Sequence, residues 1–213
     1  MDKSKFEIIR LKMERTAEAL RRNNMYCVCA ESSQEVLEII REMIDTTSTV
    51  TVGGSVTLFE TGIIDMLRNE GYNFIDRHRD GLTAEEKKEI YIKTFCSDVF
   101  ITSTNAVTEK GELYNVDGNG NRVAAMLYGP ESVIVVAGYN KIVKNTEDAK
   151  IRVQEIAAPA NALRLNMNTP CSLTGKCCNC MSDDKICASS VIMGRQRVRE
   201  RIKVILVGEE LGY

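Results

Sequence analysis

Apolar positions near the start of the chain recur at helical spacing. Phe6, Ile9, Met13, Ala17 and Leu20 fall on one stripe, which predicts a helix from Lys3 to Arg22 ended by Asn23-Asn24. Met25–Ala30 changes period and reads as a strand. Ser32 and Glu35 have the spacing of a capping box and open a second helix through Val36, Leu37, Ile39, Ile40, Met43 and Ile44. Thr49–Val52 is a short β-branched strand that meets Gly53-Gly54-Ser55 directly. A third helix carries Leu58, Phe59, Ile63, Met66 and Leu67, with Gly71 as its C-cap. Tyr72–Asp76 reads as a strand. Thr83 and Glu86 give another capping box for a helix reaching about Phe95, and Val99–Thr102 reads as the next strand.

The middle of the chain changes character. Glu112–Val116 and Arg122–Met126 flank Asp117-Gly118-Asn119-Gly120-Asn121, a pattern that predicts a hairpin with a glycine-rich turn. Gly129-Pro130 breaks the chain, and Val133–Val136 is an unbroken apolar run. Thr146 to about Ile156 is helical, interrupted by Pro159. The stretch from Pro170 to about Ser190 has no period, and Lys203–Val207 closes the chain as a buried strand. Alternating helices and short apolar strands predict an α/β fold, a mostly parallel, Rossmann-like sheet with helices on both faces. The cysteine-rich segment at about 169–190 precedes the last strand. It is therefore expected as an insertion in a single domain spanning 1–213.

Composition narrows the function classes. The 213 residues are 44% hydrophobic and 27% charged, which suits one globular domain. A net charge of -2 excludes a bulk nucleic-acid binder, which needs a basic surplus. No apolar run approaches the roughly 20 residues of a membrane span. Met1-Asp2-Lys3-Ser4-Lys5 leads into a charged helix and not a signal peptide, so a cytoplasmic location is expected.

The chain has one histidine and eight cysteines. His78, among charges in Asp76-Arg77-His78-Arg79-Asp80, reads as a surface residue. Cys27 and Cys29 share one face of a strand and, like Cys96, read as small packing residues. Cys171, Cys177, Cys180 and Cys187 form C-x5-C-x2-C-x6-C, with Cys178 extra inside the pair. In a reducing compartment such a cluster points to metal or redox chemistry. Four thiolates complete a tetrahedral zinc site or hold a [4Fe-4S] cluster, and the spacing does not separate the two. A redox pair of Cys177 with Cys180, or unligated thiols, remain the alternatives.

Two further segments carry candidate chemistry. Gly53-Gly54-Ser55-Val56-Thr57 joins a strand to a helix start, where free backbone N–H groups and glycine allow an anion to approach. The plainer alternative is a tight turn with a cap, and the spacing matches neither the P-loop nor the dinucleotide fingerprint. Thr102 to Gly111 follows a buried strand, where α/β sheets bind ligands. Asn105 and Thr108 lie in it, and Glu109 is the candidate base or nucleophile. Asp117, Asn121, Arg122 and Lys141 join them as ligand-binding candidates, with Arg122 for an anionic group. Turn chemistry is the competing reading for Asp117 and Asn119.

Taken together these segments resemble the lactate utilisation (LUD-domain) family. The resemblance rests on Gly53 to Gly62, Thr104 to Leu113, Asp117 to Ala124 and Gly138 to Val143, and it covers nearly the whole chain. It implies a fold similar to ribose-5-phosphate isomerase and the CoA transferases. It also implies a link to multi-subunit, iron–sulfur-dependent oxidation of L-lactate to pyruvate, with partner redox subunits. The segment from Thr169 to Cys187 marks a stand-alone subgroup. It lacks the ferredoxin-like repeats of the larger subunit and departs from the cysteine-poor smaller one.

Three functions are therefore weighed. The first is a cytosolic, redox-linked protein of lactate or related organic-acid utilisation that binds a small anionic organic acid or phosphorylated ligand. The second is an isomerase or acyl/CoA transferase using Glu109. The third is a non-catalytic ligand-binding or assembly subunit with a structural zinc. An oligomer is compatible with each.

Overall fold

Five of the apolar runs become strands of one sheet. The computed structural model describes residues 2–213. The main sheet contains β1 (Tyr26–Ala30), β2 (Thr49–Val52), β3 (Asn73–Phe74), β4 (Val99–Thr102), β7 (Ser132–Gly138) and β10 (Ile202–Val207). Its order is β1-β10-β7-β4-β2-β3, and every pairing is parallel. The central strands β7 and β10 are apolar at most positions because both faces are covered. Val133, Val135, Ala137, Val204 and Leu206 pack into one layer, while Ile134, Val136, Ile205 and Val207 pack into the other. This is the two-residue alternation of a strand acting on two cores at once.

The second of those cores is closed by helices α2 (Ser33–Met43), α3 (Val56–Glu60) and α4 (Ile63–Asn69). On the opposite face lie α1 (Lys3–Arg22), α6 (Asn121–Leu127) and a smaller sheet. That sheet holds β5 (Ala106–Thr108), β6 (Leu113–Asp117), β8 (Ile142–Val143) and β9 (Ser189–Met193), in the order β8-β5-β6-β9. Helix α7 (Thr146–Arg152) covers its outer side through Ala149 and Val153 against Ala106 and Tyr114. The remaining helices are α5 (Ala84–Thr94), α8 (Ala158–Arg164) and α9 (Pro170–Thr174). No helix among the described residues is long and apolar enough to cross a membrane.

Several local expectations are corrected. The third helix is two helices, because Gly62 takes a left-handed φ of 75° between α3 and α4. The expected strand Tyr72–Asp76 is only the two residues of β3. The expected hairpin does not form. Its first arm is β6, which pairs with β5 and β9, while Arg122–Met126 lies in α6. Ala124, Ala125, Met126 and Leu127 are strong helix formers, and Gly120 at φ 74° turns the chain into the helix. Pro159 does not interrupt a helix. It sits in the first turn of α8, where its missing N–H is harmless, and the irregularity before it is a π-helical turn over Val153–Ala157. Helices cover both faces as expected, and the second sheet adds to the cover of one of them.

The capping boxes differ. Thr83 and Glu86 form the full reciprocal pair. Ser32 accepts from the Glu35 N–H, but the Glu35 carboxylate reaches back to the Glu31 N–H instead. The cysteine-rich segment does lie between the body of the domain and β10, and its end supplies β9 as an edge of the second sheet.

Candidate functional site

All six main-sheet strands run the same way, so their C-terminal ends share one edge. Beyond the ends of β2, β4 and β7 the chain continues into Gly53-Gly54-Ser55, Ser103-Thr104-Asn105 and a 3₁₀ turn over Tyr139–Lys141. These segments border a cavity of about 630 Å³. It is lined by Gly54, Ser55, Thr57, Asn105, Asp117, Asn121, Arg122 and Lys141 from the expected set, with Gly53 next in the chain to Gly54. Arg77, Ser103, Arg164 and Asp183 to Ile186 also line it. Such a volume suits a small-molecule ligand.

The glycine loop supplies close approach. A Cβ on Gly53 would sit 2.6 Å from Thr102 Oγ1 and 3.3 Å from Arg122 Cδ, so only glycine lets these residues meet. The helix behind the loop is just the five residues of α3, and Ser55 makes no side-chain cap bond. Positive character at the cavity therefore comes from side chains and not from a long helix dipole.

Arg122 is the hub. Nε donates to Asp117 Oδ1 at 2.9 Å, and Nη1 donates to Ser103 O at 3.0 Å and Asn115 Oδ1 at 2.6 Å. Nη2 donates to Asn105 Oδ1 at 3.0 Å and Val116 O at 3.1 Å, and lies 2.7 Å from Asp117 Oδ1. Asp117 Oδ2 accepts from the Val123 N–H at 3.0 Å, which fixes the start of α6. The guanidinium is thus committed to protein acceptors. Arg122 shapes the cavity wall and does not reach out as the free anion ligand its sequence position suggested. Asp117, one of the turn-former candidates, is buried as the partner of this arginine.

Lys141 is 2% exposed and projects to the cavity floor. Its Nζ donates to Thr57 Oγ1 and Ser103 Oγ, both at 3.0 Å. Burial pulls its pKa down to about 7, helped by the nearby charges of Arg152 and Arg122 and opposed by Glu60. Arg152 is buried and donates to the backbone carbonyls of Asn140 and Asn105. Arg77 is half-buried, stacks over Tyr91 at 4.7 Å and donates to its hydroxyl at 2.9 Å. Burial lowers the pKa of both arginines. Among the described residues, none of Lys141, Arg152 and Arg77 is ion-paired with a carboxylate, since the pairs present lie elsewhere.

Glu109 and Thr108 are not brought to this cavity. Strand β5 starts just after Asn105, and the extended step from Asn105 to Glu109 carries the chain roughly 13 Å along. Thr108 is buried in the turn, donating to Glu112 Oε2 at 2.9 Å. Glu109 is partly exposed, 3.7 Å from Lys12 Nζ, an ion pair of the kind that contributes about 0–1 kcal/mol. A Glu109→Gln variant is therefore expected to bind anions within about twofold of the parent. A tenfold loss by calorimetric titration would put the residue back in the site.

His78 is half-buried and not a surface residue. Its ring packs edge-on to Phe59 with centroids 5.0 Å apart, and burial lowers its pKa. Cys27 is buried and Cys29 half-buried, and burial raises both thiols, which suits packing roles. Cys96 is exposed, contrary to its expected packing role.

The four clustered cysteines share one region. Cys171, Cys177, Cys180 and Cys187 are half-buried, while Cys178 is exposed. Burial raises the Cys187 thiol, and Cys177, Cys180 and Cys171 lie close enough to raise it further. Asn179, at φ 53°, turns the C-x2-C segment, and its N–H points at Cys177 Sγ from 3.5 Å. Gln154 holds the Asn179 side chain at 3.0 Å. Among the described residues, no three such side chains converge to metal-holding distance. The segment nonetheless borders the cavity. Asp183 to Ile186 form one wall, and the Ile186 backbone lies so close to Gly118 that a Cβ there would stand 3.2 Å from it.

The sequence did not single out Arg77, Arg152, Arg164 or the 183–186 wall, whereas Ser103 lay in the polar stretch that follows a predicted strand end. Arg77 and Arg152 carried no signal, since nothing local reports that an arginine is buried.

A parallel sheet with a cavity at its C-terminal edge and a second sheet on one face defines the class, an α/β domain. The chain belongs to the LUD-domain family, whose profile matches residues 13–207. Among solved structures it is similar to a DUF162 family protein from Deinococcus radiodurans, with a TM-score of 0.52 and 10% identity. That likeness covers 93% of this chain and 98% of the other, and it bears on the fold. No curated protein matches the sequence.

Proposed function

We propose that the protein binds a small organic acid or phosphorylated anion in this cavity and serves redox-linked utilisation of lactate or a related organic acid in the cytoplasm. The observation that carries the reading is Arg77, half-buried at the cavity without a carboxylate ion pair, together with Arg152, buried and likewise unpaired near Lys141. Uncompensated buried charge is costly, and an anionic ligand relieves it. Arg164 lines the same cavity. The competing reading that uses Glu109 as base or nucleophile loses that residue, because Glu109 is remote from the cavity, and Asp117 is held by Arg122.

Beside the cavity, Cys171, Cys177, Cys180 and Cys187 are proposed as ligands of a sulfur-bound metal centre. Four neighbouring half-buried thiols, with a backbone N–H aimed at one sulfur, suit the chemistry of such a set. A [4Fe-4S] cluster would supply electron transfer, whereas zinc would supply a fixed structural centre. Electron traffic through a cluster would call for a partner redox subunit.

Two measurements test this. Inorganic phosphate, L-lactate or pyruvate is expected to raise the thermal unfolding midpoint in proportion to log concentration once saturating. No response to any of the three would remove the anion site. Anaerobically purified protein is expected to be brown, with iron and sulfide in a cluster's ratio. Zinc without iron would select the structural centre, and protein free of both would discard the metal centre.

A further inference from the structure

We propose that Lys141 is a nucleophilic amine that condenses with the carbonyl group of a small anionic oxo compound held in the cavity. The compound carries its negative charge as a carboxylate or a phosphate. This rests on the anion-binding reading of the cavity and adds a covalent step to it.

The geometry supports an uncharged amine at this position. A neutral amine has two N–H bonds and one lone pair. Thr57 Oγ1 and Ser103 Oγ, each 3.0 Å from Nζ, account for both N–H bonds. The remaining valence of Nζ is the lone pair, and Lys141 lines the cavity. The third N–H of an ammonium would face the cavity, where only solvent or ligand could accept it, since Thr57 Oγ1 and Ser103 Oγ are the protein acceptors of Nζ among the described residues.

The charges around the amine act in the same direction. Arg152 and Arg122 disfavour its protonation, and Glu60 opposes them weakly. Glu60 does not pair with it, since its carboxylate accepts from the Gly212 N–H instead. The Arg122 charge is largely answered by Asp117, so burial and Arg152 dominate. Together they leave much of the amine unprotonated near neutrality. Desolvation beside another cation is a known means of activating lysine. Arg77 and Arg164 line the same cavity and supply positive charge for the anionic group of the substrate.

The step balances without an oxidant. The Nζ lone pair attacks the carbonyl carbon, and the C=O π pair moves to oxygen. A proton passes from nitrogen to that oxygen, giving a carbinolamine. A second proton on the hydroxyl expels water and leaves the C=N bond, and returning water reverses the sequence. The Thr57 and Ser103 hydroxyls, which both donate and accept, stand where these protons must move. The imine then draws electrons from the carbon next to it, which is the use of such a lysine in carbonyl chemistry.

The test is reductive trapping on the full chain at pH 7. Pyruvate in one arm and glyceraldehyde 3-phosphate in the other are each incubated with cyanoborohydride, and adducts are mapped by peptide mass spectrometry. The Lys141 peptide is expected to carry the adduct in at least one arm. Its rate should be about tenfold or more above any other lysine, because an ordinary lysine is almost wholly protonated at this pH. The arm that reacts identifies the anionic group, and excess inorganic phosphate should slow it. Adducts spread over surface lysines with none on Lys141 would overturn the proposal. If phosphate or pyruvate still raises the unfolding midpoint in that case, the anion site stands and only the imine fails. If neither ligand shifts the midpoint, both readings fall. A Lys141→Arg variant should lose the adduct while phosphate still raises its midpoint, and the wild-type map decides the matter if that variant does not fold.

Discussion

At pH 6 a Lys141→Met variant is expected to be more stable than the parent chain, and the gain should fade as the pH rises toward 10. The side chain has a pKa of about 7 in the fold against 10.5 for the ordinary group. Between those values the unfolded chain holds a proton that the native chain lacks, so parent stability climbs with pH across that window. Below pH 7 the native lysine is itself protonated, and the full penalty of a buried charge is present. At roughly 1.4 kcal/mol per pKa unit, that penalty is on the order of 5 kcal/mol. Methionine has similar length and no charge. It also deprives the Thr57 and Ser103 hydroxyls of a partner, at about 1 kcal/mol each, which lowers the whole curve without tilting it. The readout is therefore the slope of the stability difference against pH, from urea denaturation at pH 6, 8 and 10. A flat difference would show that Lys141 is not desolvated as the fold implies. Saturating phosphate should flatten it too, because a bound anion compensates the ammonium.

The main sheet was legible in the sequence for a physical reason. Strands β1, β2, β4, β7 and β10 are short apolar runs bounded by polar or glycine-rich breaks, as doubly covered parallel strands must be. The second sheet was not legible. Strand β8 is two residues long and β5 three, too short for any period to register. The segment 117–121 has the composition of a hairpin turn, but Asp117 is buried against Arg122 and Gly120 starts a helix. Only a contact between residues brought together by the fold could have separated those readings.

The candidate site divides along the same line. Residues at predicted strand ends, such as Gly54, Ser55, Asn105 and Lys141, reached the cavity because parallel strands deliver their ends to one edge. Glu109 did not, since strand β5 begins at Ala106 and carries the chain away. Arg77 and Arg152 escaped notice because their significance lies in what is not beside them. Lys141 meets Thr57 and Ser103 across 84 and 38 residues of chain, a relation no local pattern encodes.

Arg122→Met is the second large effect expected. Removing the guanidinium leaves Asp117 buried without its counter-ion, and unpaired buried charge of this kind costs about 3–5 kcal/mol. Its other acceptors, Ser103 O, Asn105 Oδ1, Asn115 Oδ1 and Val116 O, lose a donor at the same time. Arg122→Lys should rescue little. One ammonium carries three N–H bonds and no planar fork, so it cannot serve the acceptors on β6 and at the β4 exit together. The decisive variant is the double change Asp117→Asn with Arg122→Met, because it removes the orphaned charge as well as the guanidinium. Urea denaturation of the two single variants and the double should give a coupling of about 2 kcal/mol or more, with the double more stable than Arg122→Met alone. Additive effects would show that the pair is held apart by solvent and that the cavity wall has another support. A strong coupling with lost phosphate response would instead tie the shape of the cavity to this one arginine. Arg122 would then act on ligand through Ser103 and Asn105, which it holds in place at the end of β4.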